Sequence, residues 1–123
     1  MCFMRIQIGI AILLGALSLA GCSKGPSTEE LIEDLNSGEE IDRIKAVRWL
    51  NQGRRDGATV IPALIEALED TEVEVRQGAA IGLGYYGKEA ESAIPALEEL
   101  LRDKDGRVRH TAKTAIARIR GEE

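Results

Sequence analysis

A 33-residue internal repeat constrains the fold of this chain more than any other feature of its 123-residue sequence. The segments IPALIEALEDTEVEVRQGAAIGLG and IPALEELLRDKDGRVRHTAKTAIA begin at Ile61 and Ile94, and they align without a gap. A second shift by the same period, toward the N-terminus, recovers a weaker copy in which Arg43 falls on Arg76. Because a period of this length is typical of stacked supersecondary units, the sequence predicts three repeat units, near residues 28–60, 61–93 and 94–123.

The apolar spacing inside each unit is that of an α-helix. In the second unit, Ile61, Leu64 and Leu68 form one apolar stripe, and Val75 and Leu83 belong to another that follows a polar turn. Each unit is therefore predicted to be a hairpin of two amphipathic helices. Aromatic residues make up only 3% of the chain, so we expect an all-α domain with a core of Leu, Ile, Val and Ala.

Residues with known preferences for helix ends agree with this division. Pro62 and Pro95 suit the first turn of the leading helix in their units. Glu72 and Asp105 are placed where a side chain can cap the second helix, and Gly87 suits the end of that helix. The predicted turns therefore fall at the same places as the repeat boundaries.

The pattern in the second unit resembles the short HEAT-like repeats first associated with phycobilisome lyases. It consists of Ile-Pro-Ala-Leu, an aspartate six residues before an arginine, Val-Arg, and then alanine and Leu-Gly; the repeats cover about four fifths of the chain. The resemblance implies a right-handed α-solenoid of three HEAT-like helical hairpins, whose second helices line the inner curve used for partners. The ankyrin and tetratricopeptide signatures are absent. Ser37 replaces the aspartate in the first unit, as expected of a degenerate terminal cap.

The repeated arginines have a structural interpretation. Arg43, Arg76 and Arg109 occupy equivalent positions in the three units. In HEAT-like stacks this arginine usually meets a turn aspartate, here Asp70 or Asp103, and ties adjacent units together. The resemblance therefore implies that these arginines serve the stack, and we do not predict them as a binding site.

Residues 1–21 have the order of a secretory signal peptide, with Arg5 ahead of the apolar run IQIGIAILLGALSLA. The alternative is an uncleaved membrane anchor, but this run is shorter than the ~20 apolar residues that a spanning helix usually needs. The residues LAGC, at positions 19–22, resemble the lipobox of bacterial lipoproteins, in which the cysteine is lipidated. The resemblance implies a cleaved signal peptide over residues 1–21, a lipidated Cys22 with a short linker over 22–27, and a HEAT-like repeat domain over 28–123.

Ser23 bears on the membrane to which such a lipoprotein is sorted. It follows the cysteine at the position where an aspartate favours retention in the inner membrane of enterobacteria. The resemblance therefore points to the bacterial cell envelope, with the lipid anchor at the periplasmic face of the outer membrane.

The second helices supply the candidate binding residues. At ~100° per residue, the side opposite Val75 carries the positions that face the inner curve of such a solenoid. The candidates are Arg48 in the first unit, Ile81 and Tyr85 in the second, and Arg107, His110 and Arg118 in the third. The second-helix segments together carry a formal charge of +6 and the first-helix segments −10. This asymmetry favours an acidic or mixed protein segment as ligand; alternatively, the charges only solvate two faces and aid stacking.

Charge and motifs narrow the class of function. A net charge of −5 disfavours a nucleic-acid-binding protein of the usual basic kind. His110 is the only histidine, so we expect no histidine-based metal site, and no pattern indicates a catalytic group, a cofactor or a small-molecule substrate. The sequence predicts a non-enzymatic, membrane-anchored adaptor for a protein partner. The alternative, implied by the resemblance, is a bilin-lyase-like enzyme or an accessory subunit of one.

Overall fold

The computed structural model describes residues 25–53 and 55–122. This part of the chain forms six α-helices and one 3-10 helix and contains no strand, which confirms the all-α prediction. The elements are α1 (Thr28–Leu35), α2 (Glu40–Leu50), α3 (Gly57–Ala67), α4 (Val73–Tyr86), the 3-10 helix (Gly87–Ala93), α5 (Ile94–Leu100) and α6 (Gly106–Arg120). Over the same residues, no helix has the length and apolar character to cross a bilayer. The predicted signal peptide and Cys22 lie outside the described residues.

The helices pack as neighbours along the chain and then as layers. α1 packs on α2, α3 on α4, and α5 on α6. The second helices α2, α4 and α6 form one layer, and α1, α3 and the 3-10 helix form the other. Because α4 contacts both α2 and α6, it belongs to the two seams between units. This arrangement fits an α-solenoid.

The core lies between the two layers and is aliphatic, as the composition predicts. Burial of these side chains is the main favourable term in the stability of such a stack. The largest side chains with less than 2% of their surface exposed, together with Leu50 at 2%, belong to all three units: Leu31, Leu50, Leu64, Leu68, Leu83, Leu97, Val47, Val60, Val75 and Val108.

Three of the predicted helix-end residues act as expected. Asp105 precedes α6, and its carboxylate accepts a hydrogen bond from the backbone N–H of Arg107 at 2.8 Å. Gly87 follows α4 with a φ of 55°, a conformation that favours glycine. Pro95 lies in the first turn of α5, where its missing N–H has no partner to lose.

Two helix-start predictions are wrong. Pro62 lies inside α3, which begins at Gly57. The additional turn brings Val60 into the core, where it is 0% exposed, and this burial offsets the hydrogen bond that the proline nitrogen cannot donate. Glu72 precedes α4 without a side-chain capping bond. The shorter Asp70 instead orders this turn, because its carboxylate accepts a hydrogen bond from the backbone N–H of Glu72 at 2.9 Å.

The start of the first unit is ordered by local contacts. Ser27 and Glu30 form a capping box, in which each side chain accepts a hydrogen bond from the backbone N–H of the other residue, at 3.2 and 2.8 Å. Gly25 lies against the indole of Trp49, so close that a Cβ atom on this glycine would be 2.9 Å from the ring. Trp49 itself remains 40% exposed. The segment ahead of α1 is thereby positioned beside α2.

Candidate protein-binding face

Two arginine–aspartate ion pairs cross the seams between units. Arg43 Nε lies 2.9 Å from Asp70 Oδ2, and Arg76 Nε lies 2.8 Å from Asp103 Oδ2; the Nη2 atoms make the second bonds, at 3.3 and 3.1 Å. Each guanidinium also donates Nη1 to carbonyl groups of its own hairpin turn. The structural interpretation of Arg43 and Arg76 is therefore confirmed, and the two arginines are not available to a ligand.

The carboxylates of Asp103 and Asp105, in the turn between α5 and α6, are held in their charged form. The Arg76 side chain, which donates to Asp103, keeps the pKa of that carboxyl below its ordinary value, and the backbone N–H of Asp105 acts in the same direction against partial desolvation. The pKa of Asp105 is also lowered, chiefly by the hydrogen bond from the Arg107 side chain. In turn, the pKa of the Arg107 guanidinium is raised by this bond.

The predicted binding residues all lie on the side of α2, α4 and α6 that faces away from the core. We call this side the second-helix face. Most of them are exposed, and Ile81 is partly buried. Ile41, which is 64% exposed on α2, adds apolar surface to the same face. The face is defined by these side chains: Ile41, Arg48, Ile81, Tyr85, Arg107, His110 and Arg118.

Tyr85 and Arg118 are brought together across the seam between α4 and α6. The guanidinium carbon of Arg118 lies 5.7 Å from the centre of the Tyr85 ring, within the range of a cation–π contact. Tyr85 nevertheless remains 62% exposed. The pair therefore presents an aromatic ring and a cation to solvent at one place.

A notch lies on each side of this pair. The first has a volume of about 230 Å³ and is lined by Leu50, Asn51, Gly53, Gly82, Tyr85 and Tyr86. The second has a volume of about 190 Å³ and includes Ile81, His110 and Arg118 in its lining. Three of the six predicted site residues thus share one notch, and Tyr85 contributes to the other.

The remaining two predicted residues stand apart from the notches. Arg107 lies in the first turn of α6, where its Nη2 contacts Asp105 Oδ2 at 3.1 Å. Because both ends of this ion pair belong to the same helix start, Arg107 is partly engaged by its own chain. Arg48 is exposed on α2 and lines neither notch.

The first notch contains residues that the sequence reasoning missed. The Asn51 amide donates from Nδ2 to the carbonyl of Gly78 at 2.9 Å, which joins α2 to α4. Gly82 makes this approach possible, since a Cβ atom there would collide with the Asn51 side chain and reach within 2.9 Å of Leu64 Cδ1. The signal was the run GAAIGLG, whose small residues inside a helical pattern indicate close helix packing.

Chemically, the second-helix face can bind by apolar contact, by cation–π contact and through guanidinium groups. Within the described ranges, no group of three or more His, Cys, Asp and Glu side chains is placed to hold a metal ion. The face therefore offers recognition groups of the kind that dominate protein interfaces, namely Tyr and Arg beside apolar side chains.

Comparison with known proteins agrees with the architecture. No curated protein matches the chain. The family model of HEAT repeats matches residues 28–123, a range that includes all six α-helices and the 3-10 helix. The paired helices, the seam arginines and this match lead to one conclusion: the chain belongs to the HEAT repeat family.

Proposed function

We propose that this protein is a non-enzymatic adaptor that is lipid-anchored in a bacterial cell envelope and binds a protein partner on its second-helix face. HEAT repeats commonly act as scaffolds for protein interaction, which supports the class of function. In the proposed molecule, three hairpins form a right-handed solenoid, and the second-helix face is its inner curve. The observation that carries the proposal is the exposed Tyr85–Arg118 pair with a notch on each side.

The chemistry of this face indicates the kind of segment that it binds. An apolar side chain of the partner fits the notch between Leu50 and Tyr86, where most of the lining is carbon. Carboxylates of the same segment meet Arg118 and Arg48, whose exposed guanidinium groups favour paired contacts with carboxylates. The partner segment is therefore acidic with interspersed apolar residues.

A cross-linking experiment on the full chain in its native cells tests the binding face. The captured protein is identified by mass spectrometry and quantified for the wild type and for a Tyr85→Ala, Arg118→Glu variant. We expect the variant to lose at least tenfold in capture, since Tyr and Arg in such a setting are typical hot spots worth more than ~1.4 kcal/mol. Its melting temperature should change little, because both side chains are exposed.

The matched control reverses charge on the first-helix side, at Glu66 and Glu99. Glu98 is unsuitable, because it forms an ion pair with Arg120 at 3.0 Å. The control should keep the partner. If the control loses the partner and the variant at Tyr85 and Arg118 keeps it, the first-helix side is the binding surface and the proposal is wrong. Recovery of a bilin in place of a protein would favour the lyase-like alternative.

The anchor is proposed from the sequence alone, because Cys22 lies outside the described residues. The purified protein should begin at Cys22 and carry the mass of attached acyl chains, and several chains make a durable anchor where one does not. A Cys22→Ala variant should stay unprocessed or appear in the soluble fraction. Intact mass spectrometry decides this point, and separation of the two membranes tests the outer-membrane location. An unmodified Cys22 that still follows residues 1–21 would contradict the lipid anchor.

A further inference from the structure

The third unit presents a guanidinium that is held like those of the two seams but lacks their aspartate. Arg109 donates from Nη1 to the carbonyls of Asp103 and Lys104 at 2.6 and 3.1 Å, as Arg76 does to the carbonyls of its own turn at 2.8 and 3.0 Å. In Arg76 the other edge of the guanidinium, formed by Nε and Nη2, binds Asp103. Among the described residues, no carboxylate binds this edge of Arg109.

The surface around Arg109 corresponds, one repeat later, to a surface that is covered in the second unit. Leu68 is 2% exposed, whereas its equivalent Leu101 is 41% exposed. Ala80 is fully buried, whereas its equivalent Lys113 is exposed. We call this surface the end face and define it by four residues: Leu101, Arg109, Lys113 and Ala117.

A second copy of this chain does not complement the end face in the register of the repeat. The first seam pairs Arg43 with Asp70, Val47 with Gly78, and Asn51 with Gly82. Continued head to tail in the same register, the junction between two copies would pair Arg109 with Ser37, Lys113 with Lys45, and Ala117 with Trp49. The first of these pairs lacks a carboxylate, and the second is repulsive. The third places an indole where the two seams have a small residue, Gly82 in the first and Ala115 in the second.

We propose that the end face docks a different protein, which presents an acidic helical hairpin. An aspartate in the hairpin turn binds the free edge of Arg109, a second carboxylate lies opposite Lys113, and a small residue packs on Ala117. Because two backbone carbonyls already orient Arg109, little side-chain freedom is lost when a carboxylate binds both Nε and Nη2. This site is separate from the second-helix face and does not depend on the function proposed for it.

A variant that binds its own end face tests the proposed contact, with the altered first unit of a second copy as the probe. In the full chain, the substitutions Ser37→Asp, Lys45→Glu and Trp49→Ala give the first unit the groups that the end face is proposed to bind. Analytical ultracentrifugation should show head-to-tail association at least tenfold tighter than that of the wild type. Adding Arg109→Gln should abolish the increase. Circular dichroism checks folding. If the triple variant does not fold, the photo-cross-linking experiment below, which leaves the first unit unchanged, tests the proposal instead.

Two results of this experiment would overturn the proposal. One is a folded variant that sediments as the wild type does at every concentration. The other is association that persists unchanged with Arg109→Gln, because the contact would then not use the arginine edge.

The natural partner is tested by a photo-cross-linking residue placed at position 101 of the full chain in its native cells. The cross-linked peptide should come from another protein and contain a carboxylate-bearing helical hairpin, and Arg109→Gln should lower its yield at least tenfold. Tyr85→Ala should leave the yield unchanged, which separates this site from the second-helix face. Cross-links to residues 37–49 of a second copy, to a segment without carboxylates, or to nothing would refute the proposal.

Discussion

Arg76 shows how one side chain can join two units. It donates four hydrogen bonds, two to Asp103 and two to the carbonyls of its own turn, and its side chain is only 8% exposed. Removal of one member of such a buried pair leaves the other charge without a partner. The residue is therefore more important for stability than its charged character would indicate.

We expect Arg76→Gln to lower the free energy of unfolding by about 3 kcal/mol, the size typical of breaking a buried ion pair from one side. Urea denaturation of the purified chain measures this change. Arg107→Gln is the matched control, since it removes an arginine–aspartate pair whose arginine is 61% exposed and should have little effect. Equal losses in the two variants would show that the seam position of Arg76 has no special role.

The pH dependence of stability should reflect Asp103. Because its pKa is lowered in the folded state, chiefly by Arg76, its contribution is fully present above the ordinary aspartate pKa of ~3.9 and is lost as the pH falls through the lower folded-state pKa. Asp103→Asn should be less stable than the wild type at pH 7, and the difference should narrow as the pH falls below the ordinary aspartate pKa of ~3.9. Urea midpoints across this range measure it. A difference that stays constant would contradict a carboxylate-dependent contribution.

Among the elements, α3 and α5 begin differently although their sequences match at Ile-Pro-Ala-Leu. In α3 the helix starts at Gly57 and Pro62 is inside it, whereas α5 starts at Ile94 after a 3-10 helix and Pro95 is in its first turn. Pro62 therefore removes a possible helical hydrogen bond in the second unit, whereas Pro95 removes none in the third.

This difference predicts that the same substitution, proline to alanine, changes stability in one unit and not in the other. Pro62→Ala should stabilise the protein by about 1–3 kcal/mol, because alanine restores a helical N–H donor and avoids the clash of an interior proline. Pro95→Ala should change stability by less than ~0.5 kcal/mol, since its N–H would be without a helical partner. Both prolines are exposed, so neither substitution opens a cavity in the core. Thermal unfolding compares the two variants. Similar shifts would mean that the two helix starts do not differ in solution.

Helix ends could be predicted where the signal is contained in one turn of chain. Asp105 and Gly87 act as expected because a short carboxylate and a glycine satisfy helix ends locally. The start of α3 could not be located from Pro62, since it depends on the burial of Val60 against the rest of the core. The role of Arg76 in joining adjacent units could be predicted because this arginine recurs at the repeat period.

At the scale of the whole molecule, α4 links the stability of the three units. Leu83 is 0% exposed in this helix, and α4 packs on α2, α3 and α6. A change in its packing should therefore affect the entire stack.

Leu83→Ala should lower the free energy of unfolding by about 2–5 kcal/mol, as for other fully buried leucines. Because each unit depends on its neighbours, circular dichroism and tryptophan fluorescence should report one shared transition in both proteins. Glu99→Ala, at an exposed position, is the control and should shift the urea midpoint little. Equal small shifts, or a first unit that unfolds unchanged in the Leu83 variant, would refute this coupling.

The candidate site could be predicted only in part. The helical period indicated that Ile81, Tyr85, His110 and Arg118 share a side, and the structure places them on the second-helix face. The notches could not be predicted, because their shape depends on the distance between α2 and α4 and on the Asn51 amide that reaches Gly78. The engagement of Arg107 by Asp105 depends on the side-chain conformation at a helix start.

Trp49 gives the molecule an optical property. It is the only tryptophan in the chain, it belongs to the first unit, and Gly25 lies against its ring. Its fluorescence therefore originates from one end of the stack, at the segment that leads toward Cys22. A change of emission wavelength without loss of helical signal would reveal movement of that segment, so events near the proposed lipidation site can be followed in the unlabelled protein.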